Sequence, residues 1–276
     1  MLVFPNCKIN LGLNIISRRS DGYHNIETVF LPVPLEDVLE ILPSYTNTGE
    51  VNFTYSGLEI TGEPSDNLCI KAYQLLKKDF PHLPAVKGHL HKAIPMGAGL
   101  GGGSADGAFM LILLNNKFRL GISIEDLTHY ALQLGSDCPF FIINKPCFAE
   151  SRGEAIQPVD LSLSGYTLLL VNPAIHISTG WAFSAIVSAS PAKSIKATIK
   201  QPVDSWKNEL INDFEAPVLS NWPELKLLKQ QLYDMGAIYA GMSGSGSTFF
   251  GIFAPGVKVP QASLPANYFV KQFVLA

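Results

Sequence analysis

Hydrophobic and polar positions fall into blocks of two periods. Residues 2–16 (LVFPNCKINLGLNII) alternate mildly and predict a strand. Arg18-Arg19-Ser20-Asp21-Gly22 is a turn signal, followed by predicted strands over Asn25–Leu31 and Val38–Leu42. Asn47-Thr48-Gly49 separates these from a strand over Val51–Tyr55, so this stretch predicts an antiparallel meander. The period then turns helical. Cys69, Ala72, Tyr73, Leu76 and Phe80 recur at helical spacing after Ser65-Asp66, and Pro81 stops the run. Val86–Ile94 reads as a strand ending at Pro95, and Ala105–Asn116 as a strongly apolar helix. Ser123-Ile124-Glu125-Asp126 is a capping-box-like start to a helix that ends at Gly135. Pro139–Ile143 is apolar and short enough for a buried helix or strand.

Gly153–Pro158 marks a boundary, giving domains 1–155 and 156–276. Beyond it, strands are predicted over Tyr166–Asn172, Ile238–Gly241, Thr248–Phe253 and Phe269–Val274. Helices are predicted over Thr179–Val187, Asp213–Leu219 and Leu225–Met235, with Ser188–Lys200 a polar surface segment. Strands first, then helices and strands interleaved, predict an α+β fold in two domains.

Composition narrows the class. The chain has 276 residues, 47% hydrophobic and 16% charged, which excludes disorder. A net charge of −3 offers no general attraction to nucleic acid or to an anionic membrane, though it leaves room for a local anion pocket. No apolar run approaches the ~18 residues needed to span a bilayer. Pro5, Asn6, Lys8 and Asn10 interrupt any signal-peptide apolar region, so a cytoplasmic location is expected. Cys7, Cys69, Cys138 and Cys147 form no C-x-x-C pair and read as reduced, mostly buried thiols. His89 and His91 read as a strand face, since no Cys or carboxylate cluster accompanies them.

The 23 glycines are unremarkable in number, yet eleven of them lie in two short segments. Gly97, Gly99, Gly101, Gly102 and Gly103 sit between a predicted strand and a predicted helix. Glycine lets backbone N–H groups converge on a ligand, and a helix start adds unpaired N–H groups and a positive dipole end. This combination binds phosphate without a lysine. A Walker loop is excluded because Gly103 stands at the lysine position. Gly97-x-Gly99-x-x-Gly102 matches the dinucleotide fingerprint literally, but Glu125 and Asp126 lie at a helix start where that fold needs an acidic strand end. Gly241-Met242-Ser243-Gly244-Ser245 is one residue out of register for a nucleophile elbow. The second cluster reads either as a tight turn or bulge, or as a place where the chain closely approaches the first.

These segments together resemble the GHMP-type small-molecule kinases. The run from Pro95 to Ala105 resembles that family's central motif, Cys7-Lys8-Ile9-Asn10-Leu11 its first and Gly241–Ser247 its third, in the family's order. Arg19-Ser20-Asp21-Gly22-Tyr23-His24 and Gly135-Ser136-Asp137-Cys138-Pro139-Phe140-Phe141 are most similar to a branch that phosphorylates the tertiary hydroxyl of a cytidyl-diphosphate sugar alcohol on a route to isoprenoids. The resemblance implies a two-domain GHMP-kinase-like α+β fold with mixed and antiparallel sheets and an active site in the cleft between domains. It implies ATP as co-substrate and Mg²⁺ as its companion, and a monomer or weak homodimer with no nucleic-acid or membrane partner.

Site residues follow from the same motifs. Pro95, Met96, Gly97, Ala98, Gly99, Leu100, Gly101, Gly102, Gly103 and Ser104 are expected to bind ATP, with Ser104 a possible metal ligand. Here G-L-G-G-G-S-A replaces the commoner G-L-G-S-S-A, removing one hydroxyl but no backbone donor. Lys8 is a lone cation in an apolar strand, where burial demands an anionic partner. The resemblance makes it catalytic beside Asp137, the base for the acceptor hydroxyl. Asp137 is equally well placed to cap the following helix. Asn10 is expected to bind substrate or hold Lys8, with a plain strand amide as the alternative. Tyr23 and His24 follow a turn, and the resemblance has them stack on and hydrogen-bond the cytosine. Thr179 and Phe183 belong to a second cytidine-side segment, with Trp181 an alternative ring. Competing readings are a homoserine- or mevalonate-type kinase, a decarboxylase relative, a non-catalytic sugar-phosphate binder, and a dinucleotide oxidoreductase.

Overall fold

Pro5 splits the predicted first strand in two, because proline has no N–H to give to a ladder. The computed structural model describes residues 1–44, 51–60, 62–186, 193–260 and 264–275. The separator Asn47-Thr48-Gly49 and residues 188–192 of the Ser188–Lys200 segment lie outside the described residues, as does Val187. The strands are β1 (Leu2–Val3), β2 (Asn6–Arg18), β3 (His24–Glu36), β4 (Val38–Pro43), β5 (Asn52–Gly57), β6 (Val86–Lys92), β7 (Cys147–Glu150), β8 (Ala155–Pro158), β9 (Thr167–Asn172), β10 (Tyr239–Met242), β11 (Phe249–Phe253) and β12 (Phe269–Val274). The helices are α1 (Leu68–Asp79), α2 (Gly102–Phe118), α3 (Ile124–Leu134), α4 (Cys138–Ile143), α5 (Thr179–Ser184), α6 (Ile195–Thr198), α7 (Glu215–Asn221) and α8 (Pro223–Asp234).

Among the described residues three sheets form, in the orders β1-β4-β6-β5, β2-β3-β7-β8 and β10-β11-β9-β12. The predicted meander does not. β5 pairs with β6 in parallel, Phe53 opposite Gly88, while β4 pairs with β6 antiparallel. The reason lies between them: α1 supplies the crossover that a parallel pair requires. The sheet is therefore mixed.

Helix ends follow local chemistry. The Asn67 side chain accepts from Cys69 N–H at 2.8 Å and caps α1. Ser123 caps α3 by accepting from Asp126 N–H, as the capping-box pattern predicts. Pro139–Ile143 resolves as helix, within α4. Ile195 and Ile199 are buried, so the stretch around α6 is not wholly a polar surface.

The chain forms two compact units. One comprises Met1–Lys8, Pro34–Met96 and Gly101–Lys145, with the mixed sheet and α1–α4; α2 packs on α1, α3 and α4 and reaches β1 and β4. The other comprises Ile9–Val33, Gly97–Leu100 and Pro146–Ala276. Its core joins Leu13 and Ile15 of β2 to Leu169, Val171, Phe249 and Phe253 of the third sheet and to Leu225, Leu228 and Leu232 of α8. The four cysteines are buried and form no disulfide, and burial pushes the Cys7 and Cys138 thiols up to about 12. His89 and His91 lie on the face of β6, hydrogen-bonded to Thr54 and Ser56 of β5, which fits the strand-face reading. Among the described residues, no helix is long and apolar enough to cross a membrane.

Candidate active site

In the first unit, β2 carries Lys8 into a buried position, its side chain only 5% exposed. Lys8 Nζ lies 3.5 Å from Asp137 Oδ2, whose side chain is 35% exposed. A nearly buried ammonium thus has its counter-charge, and the carboxylate keeps one side open to solvent. Asp137 sits at the N-cap of α4 but has helical backbone angles and makes no side-chain capping bond. The capping role that its sequence position allows goes unused, and the carboxylate turns to Lys8.

The glycine loop packs onto this pair. A Cβ on Gly101, whose φ is +70°, would stand 3.2 Å from Lys8 Cε and 3.1 Å from Phe141 Cζ. One on Gly102 would stand 2.8 Å from Ile94 Cγ2. α2 begins here, so its first-turn N–H groups have no acceptor within the helix and carry the positive end of its dipole. Ser104, in that turn, hydrogen-bonds the Cys138 thiol beside Asp137. Pro95 is half-buried and Met96 exposed where the chain leaves β6.

Beneath the loop lies a charge cluster that the sequence reading missed. Lys92, at the end of β6, donates to Asp37 and, at 2.8 Å, to Asp106 on α2. All three side chains are buried. Asp37 also accepts from Ala93 and Ile94 N–H at 2.6 and 2.9 Å, tying down the strand exit. Burial, with Asp37 adding to it, pushes the Asp106 carboxyl up to about 8 against the pull of Lys92. One Asp106 oxygen, Oδ1, is buried without a hydrogen-bond partner. The only sequence signal was a cation at an apolar strand end and a lone carboxylate in an apolar helix.

In the second unit, the two glycine clusters meet. Ser243 Oγ donates to Gly99 O at 2.8 Å, and Thr248 N–H to Ala98 O at 3.3 Å. A Cβ on Gly99 would stand 2.0 Å from Ser243 O, and one on Gly244 3.3 Å from Gly99 Cα. Ser243 N–H also bonds Thr248 O, closing the turn between β10 and β11. The second cluster is therefore both a tight turn and a close approach. Asn10 is buried in this frame: its amide donates to Thr28 Oγ1 at 3.0 Å and its N–H to Ser243 Oγ at 3.2 Å. Asn212, which sequence reasoning passed over, donates to Met242 O and Gly244 O, both at 2.8 Å, and holds the turn from behind.

The predicted aromatic residues divide. His24 stacks on Phe183, with ring centroids 4.7 Å apart and planes 14° from parallel. Trp181 instead packs edge-on against Trp222, the residue between α7 and α8. Thr179 Oγ1 shares a hydrogen bond of 3.0 Å with Ser245 Oγ, joining α5 to the second glycine cluster. Tyr23 is 54% exposed. Burial, and then the Arg18 charge, lower the His24 pKa, so its imidazole is neutral at neutral pH, with one donor and one acceptor nitrogen.

A cation–carboxylate pair thus lies under a glycine-rich helix start, and sequence comparison gives the class. The profile described as GHMP kinases N terminal domain matches residues 67–145, and that described as GHMP kinases C terminal matches residues 195–269. The chain belongs to the GHMP kinase family and is a kinase. Within the family it is 54% identical, over 97% of each chain, to the 4-diphosphocytidyl-2-C-methyl-D-erythritol kinase of Bacteroides fragilis. It is 42% identical, over 96% of each, to the enzyme of that name from Porphyromonas gingivalis. The crystal structure of a 4-(cytidine 5'-diphospho)-2C-methyl-D-erythritol kinase superposes with a TM-score of 0.78 at 29% identity, covering 91% of this chain and 90% of that one. The mevalonate kinase of Methanococcus jannaschii shares the fold, with a TM-score of 0.68 at 11% identity over 92% of this chain and 90% of that one.

Proposed function

We propose that this chain transfers the γ-phosphoryl group of ATP to the 2-hydroxyl of 4-diphosphocytidyl-2-C-methyl-D-erythritol, a step of the methylerythritol phosphate route to isoprenoids. The observation that carries the chemistry is the Lys8–Asp137 pair, in which the carboxylate is released from capping and open on one side.

Phosphoryl transfer asks for positioning, neutralisation of charge and a group to take the acceptor proton. Asp137 takes the proton from the 2-hydroxyl as the oxygen attacks the γ-phosphorus. Lys8 holds Asp137 in place and offsets negative charge on the transferring group. The N–H groups over Gly101–Ser104 bind the nucleotide phosphates without further cations, which is how a chain of net charge −3 handles two anionic substrates. Residues Pro95–Leu100 lead the nucleotide into that cradle. Tyr23 stacks on the cytosine, and the neutral His24, held flat by Phe183, has the donor and acceptor that the cytosine edge requires. Thr179 orders this side through Ser245, and Asn10 braces the glycine turn from beneath the substrate.

Among the described residues, no group of three or more His, Cys, Asp or Glu side chains is placed to hold a metal. Mg²⁺ in such enzymes is held by one or two carboxylates together with the substrate phosphates. The Ser104 hydroxyl would be the ligand this chain offers to an ion carried in on the nucleotide, and such an ion would neutralise charge on the phosphate oxygens.

The test is ADP release measured with ATP and each of three acceptors: the cytidyl-diphosphate compound, homoserine and mevalonate. Stimulation by the first alone is expected. No stimulation by the cytidyl compound overturns the proposal.

A further inference from the structure

The loop between β7 and β8 places a cation on the exposed aromatic ring. Arg152 Cζ lies 4.8 Å from the centroid of the Tyr23 ring. The arginine is itself held: its N–H donates to Glu154 Oε2 at 2.7 Å, and its Nε lies 3.6 Å from Glu154 Oε1. Ser151, in the left-handed backbone region with φ +62°, donates from its hydroxyl to the same Glu154 carboxylate at 3.0 Å. The turn that bears Tyr23 is bound to this loop. Arg19 donates to Ser151 Oγ at 3.2 Å and to Asn25 Oδ1 at 3.1 Å, and Ile26 N–H donates to Ser151 O at 2.7 Å. Tyr23 N–H in turn donates to Asp21 Oδ1, whose carboxylate pairs with Arg19.

A tyrosine more than half exposed has little packing to fix its ring. A guanidinium over one face supplies what packing does not, and a planar cation on an aromatic face is attractive in its own right. We propose that Arg152 is the positioning residue of the cytosine subsite: backed by Glu154, it covers one face of the Tyr23 ring and presents the opposite face for the base to stack on. The inference rests on the cytidyl-diphosphate reading given above. Arg152 does not touch the reacting atoms. Its effect belongs in the affinity for the cytidyl substrate, and it acts through Tyr23.

The experiment measures kcat and both KM values for the wild type, Arg152→Ala, Arg152→Lys, Tyr23→Ala and the Arg152→Ala/Tyr23→Ala double variant. For Arg152→Ala, KM for the cytidyl substrate rises by about five- to tenfold, while kcat and KM for ATP hold. Arg152→Lys recovers part of the loss, since the charge remains and the planar fork does not. In the Tyr23→Ala background the Arg152 change has no further effect, because its route to the substrate is gone. An unchanged KM in Arg152→Ala overturns the inference. So does a loss that is the same size with and without Tyr23, which is what a merely structural loop residue gives. A wild type that fails to turn over the cytidyl compound overturns the functional reading, and this inference with it.

Discussion

Two alanine substitutions in one glycine loop should have opposite signs. At Gly99 the backbone is left-handed, with φ +77°, and a Cβ would stand 2.0 Å from Ser243 O and 2.9 Å from Ser243 C. Neither atom belongs to a flexible side chain, so the two backbones must separate by more than an ångström. The left-handed conformation costs alanine about 1–2 kcal/mol. The separation breaks the bonds from Ser243 Oγ to Gly99 O and from Thr248 N–H to Ala98 O, each worth about 1 kcal/mol net. Gly99→Ala should therefore cost about 3–4 kcal/mol. At Gly103 nothing lies within 4 Å of a built Cβ, and the residue is inside α2. Gly103→Ala should be neutral, or stabilising by up to about 1 kcal/mol, by helix propensity. Urea unfolding of the two variants beside the wild type reads both numbers from the midpoints at constant slope. Gly99→Ala within about 0.5 kcal/mol of wild type would refute the close-approach argument. Equal losses in both variants would refute it too, since the loop would then be generally intolerant of side chains.

Three further outcomes are expected. Asp137→Asn should lower kcat by about 10²–10⁴-fold, the usual contribution of a general base, and leave the fold intact with a lowered melting temperature, because the nearly buried Lys8 loses the Asp137 charge; near-normal turnover would end its assignment as base. The Asp106 carboxyl is raised by burial to about 8, so the stability it contributes is full below its unfolded value near 3.8 and is lost as pH rises through about 8. Asp106→Asn should flatten that decline, and melting curves from about pH 6 to 9 that stay parallel to wild type would contradict it. Phe183→Ala should raise KM for the cytidyl substrate by about 2–10-fold, because His24 loses the stack that holds its ring, whereas Trp181→Ala should leave that KM alone and lower stability through its contact with Trp222. The reverse pattern would exchange the two rings' roles.

What the sequence could show was local. Gly97–Gly103 before an apolar run announced a loop feeding a helix. Ser123 with Asp126 announced a cap, and the lone lysine in an apolar strand pointed to a paired charge. Each signal is carried by neighbours a few residues apart. The parallel pairing of β5 with β6 was invisible, because alternation marks a strand but not its partner, and the meander rested on the assumption that consecutive strands are neighbours. The Lys92 cluster was hidden for the same reason: Asp37 lies 55 residues from Lys92, and nothing near Asp37 marks it as buried. Arg152 carries no signal in the sequence, because its place over Tyr23 depends on contacts with Ser151 and Glu154 and on a ring well over a hundred residues away. The capping role that Asp137's position allows goes unused, and only its backbone angles and the lysine opposite show that it pairs with Lys8 instead.

The division of the chain between the units also governs the order in which the protein can be made. β2 emerges early in synthesis, yet its Asn10 is satisfied by Ser243, 233 residues later, and its Leu13 bridges Asn212. The first unit is complete once Lys145 has left the ribosome. The second holds Ile9–Val33 from the start and waits for Pro146 onward. An apolar strand must therefore stay unfinished on one side until nearly the whole chain exists. Contacts this distant in sequence make for slow folding and a long exposed interval. Release of a nascent chain cut short before Asn212 would leave β2 paired with β3 but without its bridge to Asn212 and its bond to Ser243, a ready substrate for chaperones and proteases.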